Sequence, residues 1–306
     1  MNLPFFGKLV LYLTLNEAQM KKILIVLAAL AVFISVAAAS VRCEEATTLN
    51  LTKYKDAKSL KTHEEIISRV KLSGKICRFG VYDYHAIVPN AQVWVAEYPE
   101  SKKLDIRSDA AGWWTLNVIK YKGKDDGFSF VYEKEGWITT KSNVIAVTDQ
   151  DNTDLAIQFI DPDVFRNGMK PLIGLIMMSA KRPAGAGVKF RNAMVTTVGK
   201  SWASMHDDRL PHGEPGATVT IVPGAVGPLY FNEKVMPDPA YPATSVDGGV
   251  AWLNVPKGEY SVTAAKEGLT FATVKFVIDA ADAANGIVLY IASPPDAIQG
   301  SNTAEP

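Results

Sequence analysis

The stretch MHDDRLPHGEP, residues 205–215, gathers His206, Asp207, Asp208, His212 and Glu214. Imidazole nitrogens together with carboxylate oxygens suit a borderline divalent metal such as zinc, nickel or copper, and the carboxylates without the histidines suit calcium. The spacing follows no closed-site motif. Asp, Pro and Gly are also what a solvated connection is made of, so a divalent metal site and a plain loop both stand as readings. Elsewhere the supply of chemistry is thin. The histidines number 4, the other two being His63 and His85, and there is no HExxH, no GxSxG elbow and no phosphate-cradling loop. The Gly-x-Gly inside Pro183–Gly187 lacks a third glycine and the strand-turn-helix setting of a dinucleotide site. The expectation is a protein that is not an enzyme, a hydrolase being open only through residues that the fold itself brings together.

The cysteines are Cys43 and Cys77. A disulfide between them is permitted in an oxidising compartment, closing a loop of about 35 residues worth roughly 3–4 kcal/mol on the chain-entropy model. The rival, a lipid on Cys43, meets the bulky Val41-Arg42 where small residues are needed. No CxxC is present to support redox chemistry. An oxidising destination is what the N-terminus predicts. Residues 20–40, MKKILIVLAALAVFISVAAAS, have a charged start at Lys21-Lys22, an apolar run, and small residues Ala37–Ala39 at a cleavage site. Residues 1–39 are thus expected to be a signal peptide, with synthesis expected to start at Met20 and cleavage after Ala39. That would leave no transmembrane segment in an exported chain, periplasmic or at the cell surface; the competing reading is a spanning helix, Ile23–Ala39 being 17 residues, at the lower limit for crossing a bilayer.

Basic and acidic residues balance, 32 against 32, without a long run of one sign. That balance argues against nucleic acid, which favours a clustered basic face. Protein or glycan at the cell envelope is the expected partner. The basic run Lys120, Lys122 and Lys124, answered by Asp125-Asp126, reads as a solvated hairpin loop.

What would position any site is a duplicated unit. GWWTLNV (112–118) recurs as GVAWLNV (249–255), KEG (134–136) recurs as KEG (266–268), and PNAQVWVAEYP (89–99) reads like PGATVTIVPG (215–224). Around these anchors lie short β-patterned runs separated by Gly, Asn, Asp and Pro turns, the signature of an all-β sandwich. The first copy is predicted over 71–162, with strands at 71–79, 91–98, 113–118, 128–133, 143–147 and 154–160. The second is predicted over 191–296, with strands at 218–222, 250–255, 260–265, 272–278 and 286–291. Alternation puts Trp114, Leu116 and Val118 inside, together with Ala251, Leu253 and Val255 by the alignment of the phrases. It puts Trp113 and Trp252 on the opposite face, as candidates for ligand contact, with cover by the protein's own chain as the competing reading.

The runs SDAAGWWTLNV…GFSFVYEKEGW and SVDGGVAWLNVPKGEYSVTAAKEGL resemble the carboxypeptidase regulatory-like domain. The second copy matches better, through Asp247-Gly248-Gly249, Val255-Pro256-Lys257-Gly258, Tyr260 and Lys266-Glu267-Gly268; the first has Lys120–Asp126 where a Pro-Gly turn belongs. The resemblance implies two tandem transthyretin-like, Greek-key sandwiches of a kind usually appended to other exported domains and without catalysis of their own. The expected function is a structural or interaction module of the cell envelope. The alternatives are a binder of a metal ion or carbohydrate through the second copy's loops, and an accessory subunit of a larger exported complex. Outside the copies, residues 40–70 are polar with a short helix expected at 62–70. Residues 163–190 read as a linker, its apolar run PLIGLIMMSA (171–180) a buried strand or an interdomain contact. Residues 297–306 are an expected disordered tail.

Overall fold

The computed structural model describes residues 48–53, 67–79, 87–123, 126–187, 190–199, 213–280, 282 and 289–292. The protein is all-β. In the first copy, β2 (Ile67–Phe79) pairs antiparallel with β5 (Trp113–Tyr121) and parallel with β8 (Asn152–Ile160), while β3 (Gln92–Val95), β6 (Asp126–Glu133) and β7 (Thr140–Val147) form a second antiparallel set. In the second copy, β9 (Ala193–Thr197) pairs antiparallel with β12 (Gly249–Leu253) and parallel with β15 (Leu289–Ala292). There the antiparallel set is β10 (Thr218–Val222), β13 (Gly258–Ala265) and β14 (Val274–Ile278). The same pairing pattern occurs twice. The strand flanking the central pair differs: β1 (Thr48–Asn50) runs parallel to β5, whereas β11 (Val226–Tyr230) runs antiparallel to β12. The short β4 (Ile106–Arg107) completes the first copy's edge beside β3. The copies join at β7, which also pairs with β14 and β15.

The duplication is written most finely in one corner. Pro89-Asn90-Ala91 and Pro215-Gly216-Ala217 turn through a left-handed residue, Asn90 at φ 59° and Gly216 at φ 78°. After each turn a hydroxyl clips the chain. Ser108 Oγ accepts from Ala91 N at 2.9 Å and donates to Val88 O at 2.7 Å; Thr244 Oγ1 accepts from Ala217 N at 2.8 Å and donates to Glu214 O at 2.6 Å. Both clips are buried. Thr244→Val keeps the volume but leaves a buried N–H without its acceptor, so urea unfolding is expected to show a loss of about 1–3 kcal/mol. A change below about 0.5 kcal/mol would mean that the corner does not depend on the hydroxyl.

The described residues form two apolar clusters. One is enclosed by the two sheets of the first copy, where Trp114 meets Phe130 at a ring-centroid distance of 4.9 Å. It extends to Phe165, Met169, Ile173, Ile176 and Met177 and to Ala193, Val195, Leu229, Ala251 and Leu253. The other lies inside the second copy and contains Met194, Val219, Val250, Trp252, Val255, Tyr260, Val262 and Phe276. Strands β9 and β12 therefore have one face in each cluster, and every residue of both is buried.

Several sequence expectations change here. Residues 171–180 are not a strand: Lys170–Met178 is an α-helix, preceded by a π-helical turn at Val164–Met169, and its apolar side enters the first cluster. No helix runs through residues 67–70, which belong to β2. Lys120 is not solvated but wholly buried, its ammonium 3.0 Å from Asp149 Oδ1, and the β5–β6 connection links two sheets rather than closing a hairpin. Strands β9 and β11 were not expected. Gly227-Pro228 reads as a breaker, and a proline is tolerated in β11 because it is an edge strand.

Candidate functional site

The repeated phrase is out of structural step by one residue. Gly112 (φ 80°) and Gly248 (φ 75°) occupy the same place: Ile76 N donates to Gly112 O and Val198 N to Gly248 O, each at 2.9 Å. A left-handed turn requires a residue without a Cβ penalty, and the turn glycine of the second copy is Gly248 rather than Gly249. Trp113 then corresponds to Gly249, Leu116 to Trp252, and Asn117 to Leu253.

That one step decides the fate of the two tryptophans. Trp252 is fully buried in the second cluster, so its place on an exposed ligand-contact face is corrected: a shift of one residue moves a side chain to the opposite face of the sheet. Ala251 and Leu253 are buried, as the alternation required, but in the cluster that holds the first copy's core and the Lys170–Met178 helix rather than in the second copy's own cluster. Asn254 (φ 53°) then interrupts the alternation and returns Val255 to the Trp252 side. Trp113 remains 39% exposed at the start of β5.

Around Trp113 the outer face of β2 and β5 is partly exposed, with Ser73 buried in its middle. Lys75 stands opposite Trp113, Lys71 opposite Asn117, and Arg69 opposite Ile119. Arg69 and Lys71 are exposed and Lys75 half-buried, while the intervening Val70, Leu72 and Ile76 point into the cluster. Asp109 and Asp151 flank this face and accept backbone N–H groups, from Ala111 and Trp113 in the first case and from Lys71 in the second.

The loop at 205–215 contributes less. His206, Asp207, Asp208 and His212 lie outside the described residues. Glu214 is described: its carbonyl serves the Thr244 clip, and its carboxylate forms an ion pair with Lys266. Among the described residues no group of three or more His, Cys, Asp or Glu side chains is gathered as metal ligands would be. Cys43 also lies outside them, and Cys77 sits on β2 where its backbone bridges to Ile87. A separate polar groove of about 690 Å³ is lined by Asn90, Gln92, Arg107, Glu133, Lys134, Glu135 and Thr139. Its cations are engaged: Arg107 with Asp105 at 2.9 Å, and Lys134 with the Pro89 carbonyl at 2.8 Å and over the Trp137 ring. It offers no activated nucleophile.

One carboxyl is strongly perturbed. Asp247, in the turn before β12, is buried and receives only the Gly249 N–H, at 3.1 Å, on Oδ2. Burial pushes its pKa up to about 7, and that single hydrogen bond offsets little of the effect. The turn is crowded, since a Cβ on Gly213 would stand 2.3 Å from the Asp247 carbonyl carbon.

The fold is all-β, with one strand-pairing pattern that occurs twice among the described residues. No protein-family model matches the chain, and no curated protein does. Among solved structures, the Bacillus anthracis TIE protein aligns at 12% identity and a TM-score of 0.21 over 75% of this chain, which spans 35% of that one. A double mutant of the shaft pilin SpaA from Lactobacillus rhamnosus GG aligns at 9% identity and a TM-score of 0.18, with coverage of 75% and 98%. A streptococcal ancillary pilin gives 10%, 0.21, 74% and 68% in the same order. Among the described residues no helix is long and apolar enough to cross a membrane.

Proposed function

We propose that this protein is an exported, non-enzymatic structural or interaction module of the cell envelope, in which two carboxypeptidase regulatory-like domains present different outer faces to protein or glycan partners. The observation that carries the reading is that pairing pattern and hydroxyl clip are repeated while the faces are not. Trp113, Asn117 and Lys71 face outward in the first copy. Their counterparts Gly249, Leu253 and Ala193 are buried in the second. Divergence confined to the outer faces of a common frame is what a binding scaffold requires, whereas an enzyme requires one assembled set of reacting groups.

The test is to tag the C-terminus, fractionate native cells and medium, determine the N-terminus of the product, and recover what co-purifies. The expected product begins at Ser40, lies outside the cytoplasm, and carries a defined envelope protein or glycan in constant ratio. A cytoplasmic protein retaining Met20–Ala39, or an exported chain purified without a partner in either fraction, would overturn the reading.

A further inference from the structure

A surface helix ordinarily carries a polar side opposite its buried stripe. The helix Lys170–Met178 has none: from Pro171 to Met178 every residue is apolar or glycine. Ile173, Ile176 and Met177 enter the first cluster. The remaining arc faces outward, with Leu175 61% and Met178 75% exposed, Pro171 exposed, and Leu172 and Gly174 half-buried beside them. Pro171, Leu175 and Met178 follow one another at helical spacing, as a stripe about 10 Å long. Both ends of this stripe are basic. Lys170 is exposed at its start, and Lys181 and Arg182 are exposed just beyond its end. Lys170 and Lys181 form no ion pair among the described residues, and Arg182 donates to the Met177 carbonyl at 3.2 Å, closing the helix C-terminus. The even balance of charge over the whole chain hides a local excess: between Asp163 and Asp207 the sequence has seven basic residues and no acidic one.

We infer that this helix rests on an anionic lipid bilayer, with Leu175 and Met178 at the acyl boundary and Lys170, Lys181 and Arg182 at the headgroup phosphates. The inference goes beyond the interaction-module reading and does not depend on which protein or glycan that module carries. An interfacial helix is held by apolar area together with the attraction of cations to anionic headgroups, and this stripe supplies both. Lysine and arginine lay their stems along apolar surface while their charged ends reach the phosphates. With 9 residues the helix lies on the bilayer and does not cross it. A second copy of this chain is the poorer occupant, because an isologous contact over the stripe would bring these cations toward their own counterparts. Nucleic acid has no use for two exposed aliphatic side chains. Two apolar side chains and three cations make the attachment reversible, as a single lipid chain would.

The test sediments the protein, purified as its native cells process it, with sucrose-loaded vesicles of phosphatidylcholine alone or mixed with phosphatidylglycerol, at low and moderate salt. The phosphatidylglycerol vesicles are expected to bind it, less so as salt rises, and phosphatidylcholine alone is not. The partition coefficient should fall at least tenfold in Leu175→Gln/Met178→Gln and, separately, in Lys170→Gln/Lys181→Gln, with the salt dependence flattened only in the second. Glutamine has nearly the helix propensity of the residues it replaces, and all these positions are exposed, so the wild-type unfolding midpoint should be retained. The single substitutions carry the test if a double variant does not fold. Val222→Thr, at another exposed apolar residue, and Lys103→Gln/Lys257→Gln, on other elements, should change the partition less than twofold. Absence of binding to phosphatidylglycerol vesicles overturns the inference, and so does equal binding to phosphatidylcholine alone or binding unchanged by the helix variants. Loss in the lysine variant with Leu175→Gln/Met178→Gln silent would show a surface that reads charge alone, which also overturns it. Self-association in sedimentation velocity that needs Leu175 and Met178, with vesicles left unbound, would assign the stripe to a second copy and overturn it as well. Any of these failures leaves co-purification of an envelope partner untouched, so the two readings fail separately.

Discussion

Trp252→Ala is expected to lower the stability to urea by about 3–5 kcal/mol, among the largest effects available to a single substitution in this chain. The indole is wholly buried among Met194, Val219, Tyr260 and Val262, and it lies at the structural position of Leu116, the centre of the corresponding strand in the first copy. Matching the repeated phrases letter by letter would place it instead at Thr115, a half-buried residue of the outer face whose truncation costs little. The two alignments differ by one residue and predict different outcomes. A loss below about 1 kcal/mol in Trp252→Ala would restore the letter-by-letter register and place the indole outside the core.

That single step shows where sequence reasoning succeeded and where it could not. Alternation in WWTLNV correctly put Trp114, Leu116 and Val118 inside, because the first copy's sheet buries one face and exposes the other, the arrangement for which a period of two carries information. The same logic failed on GVAWL because all five residues are buried, and a strand covered on both faces has no polar phase to read. Its second face lies in the cluster that includes the Lys170–Met178 helix. The helical segment was legible as apolar and buried, but ten apolar residues carry no period that separates helix from strand. The turn glycine held the missing information: of Gly248 and Gly249 only Gly248 is left-handed, and its hydrogen bond from Val198 sets the register. The outer face of β2 and β5 was half legible. Trp113 was recognisable as outward-facing, whereas the cations of β2 became a row only when the strand proved to begin at Ile67 and to bring Arg69 into line with Lys71 and Lys75. The histidine-carboxylate run at 205–215 lies almost wholly outside the described residues, and its one described carboxylate, that of Glu214, is committed to Lys266.

The buried carboxyl of Asp247 is expected to make the protein less stable as pH rises from about 4 to about 7. In the unfolded chain this group ionises near its ordinary value of 3.8; in the folded protein burial holds the proton until about pH 7. Between those values the folded state binds one more proton than the unfolded state, so the free energy of unfolding falls with each unit of pH, and above about 7 the slope vanishes. Across that window the loss amounts to about 4 kcal/mol, at about 1.36 kcal/mol for each pH unit. Carboxylates held below their ordinary values, such as Asp149 through the Gly123 N–H and the Lys120 ammonium, act in the opposite direction, but their contribution is complete once the unfolded chain has ionised, near pH 4 to 5. Histidines also ionise between about pH 5 and 7, so over that interval it is the difference between the wild type and Asp247→Asn that isolates Asp247. Urea unfolding of the wild type and Asp247→Asn at half-unit steps should show a falling midpoint in the first and a shallower slope in the second. The amide can still accept the Gly249 N–H through its oxygen, and having no proton to lose it should leave the variant the more stable of the two at pH 8. An equal slope in both proteins would mean that Asp247 is ionised in the folded state and that the turn before β12 is open to water.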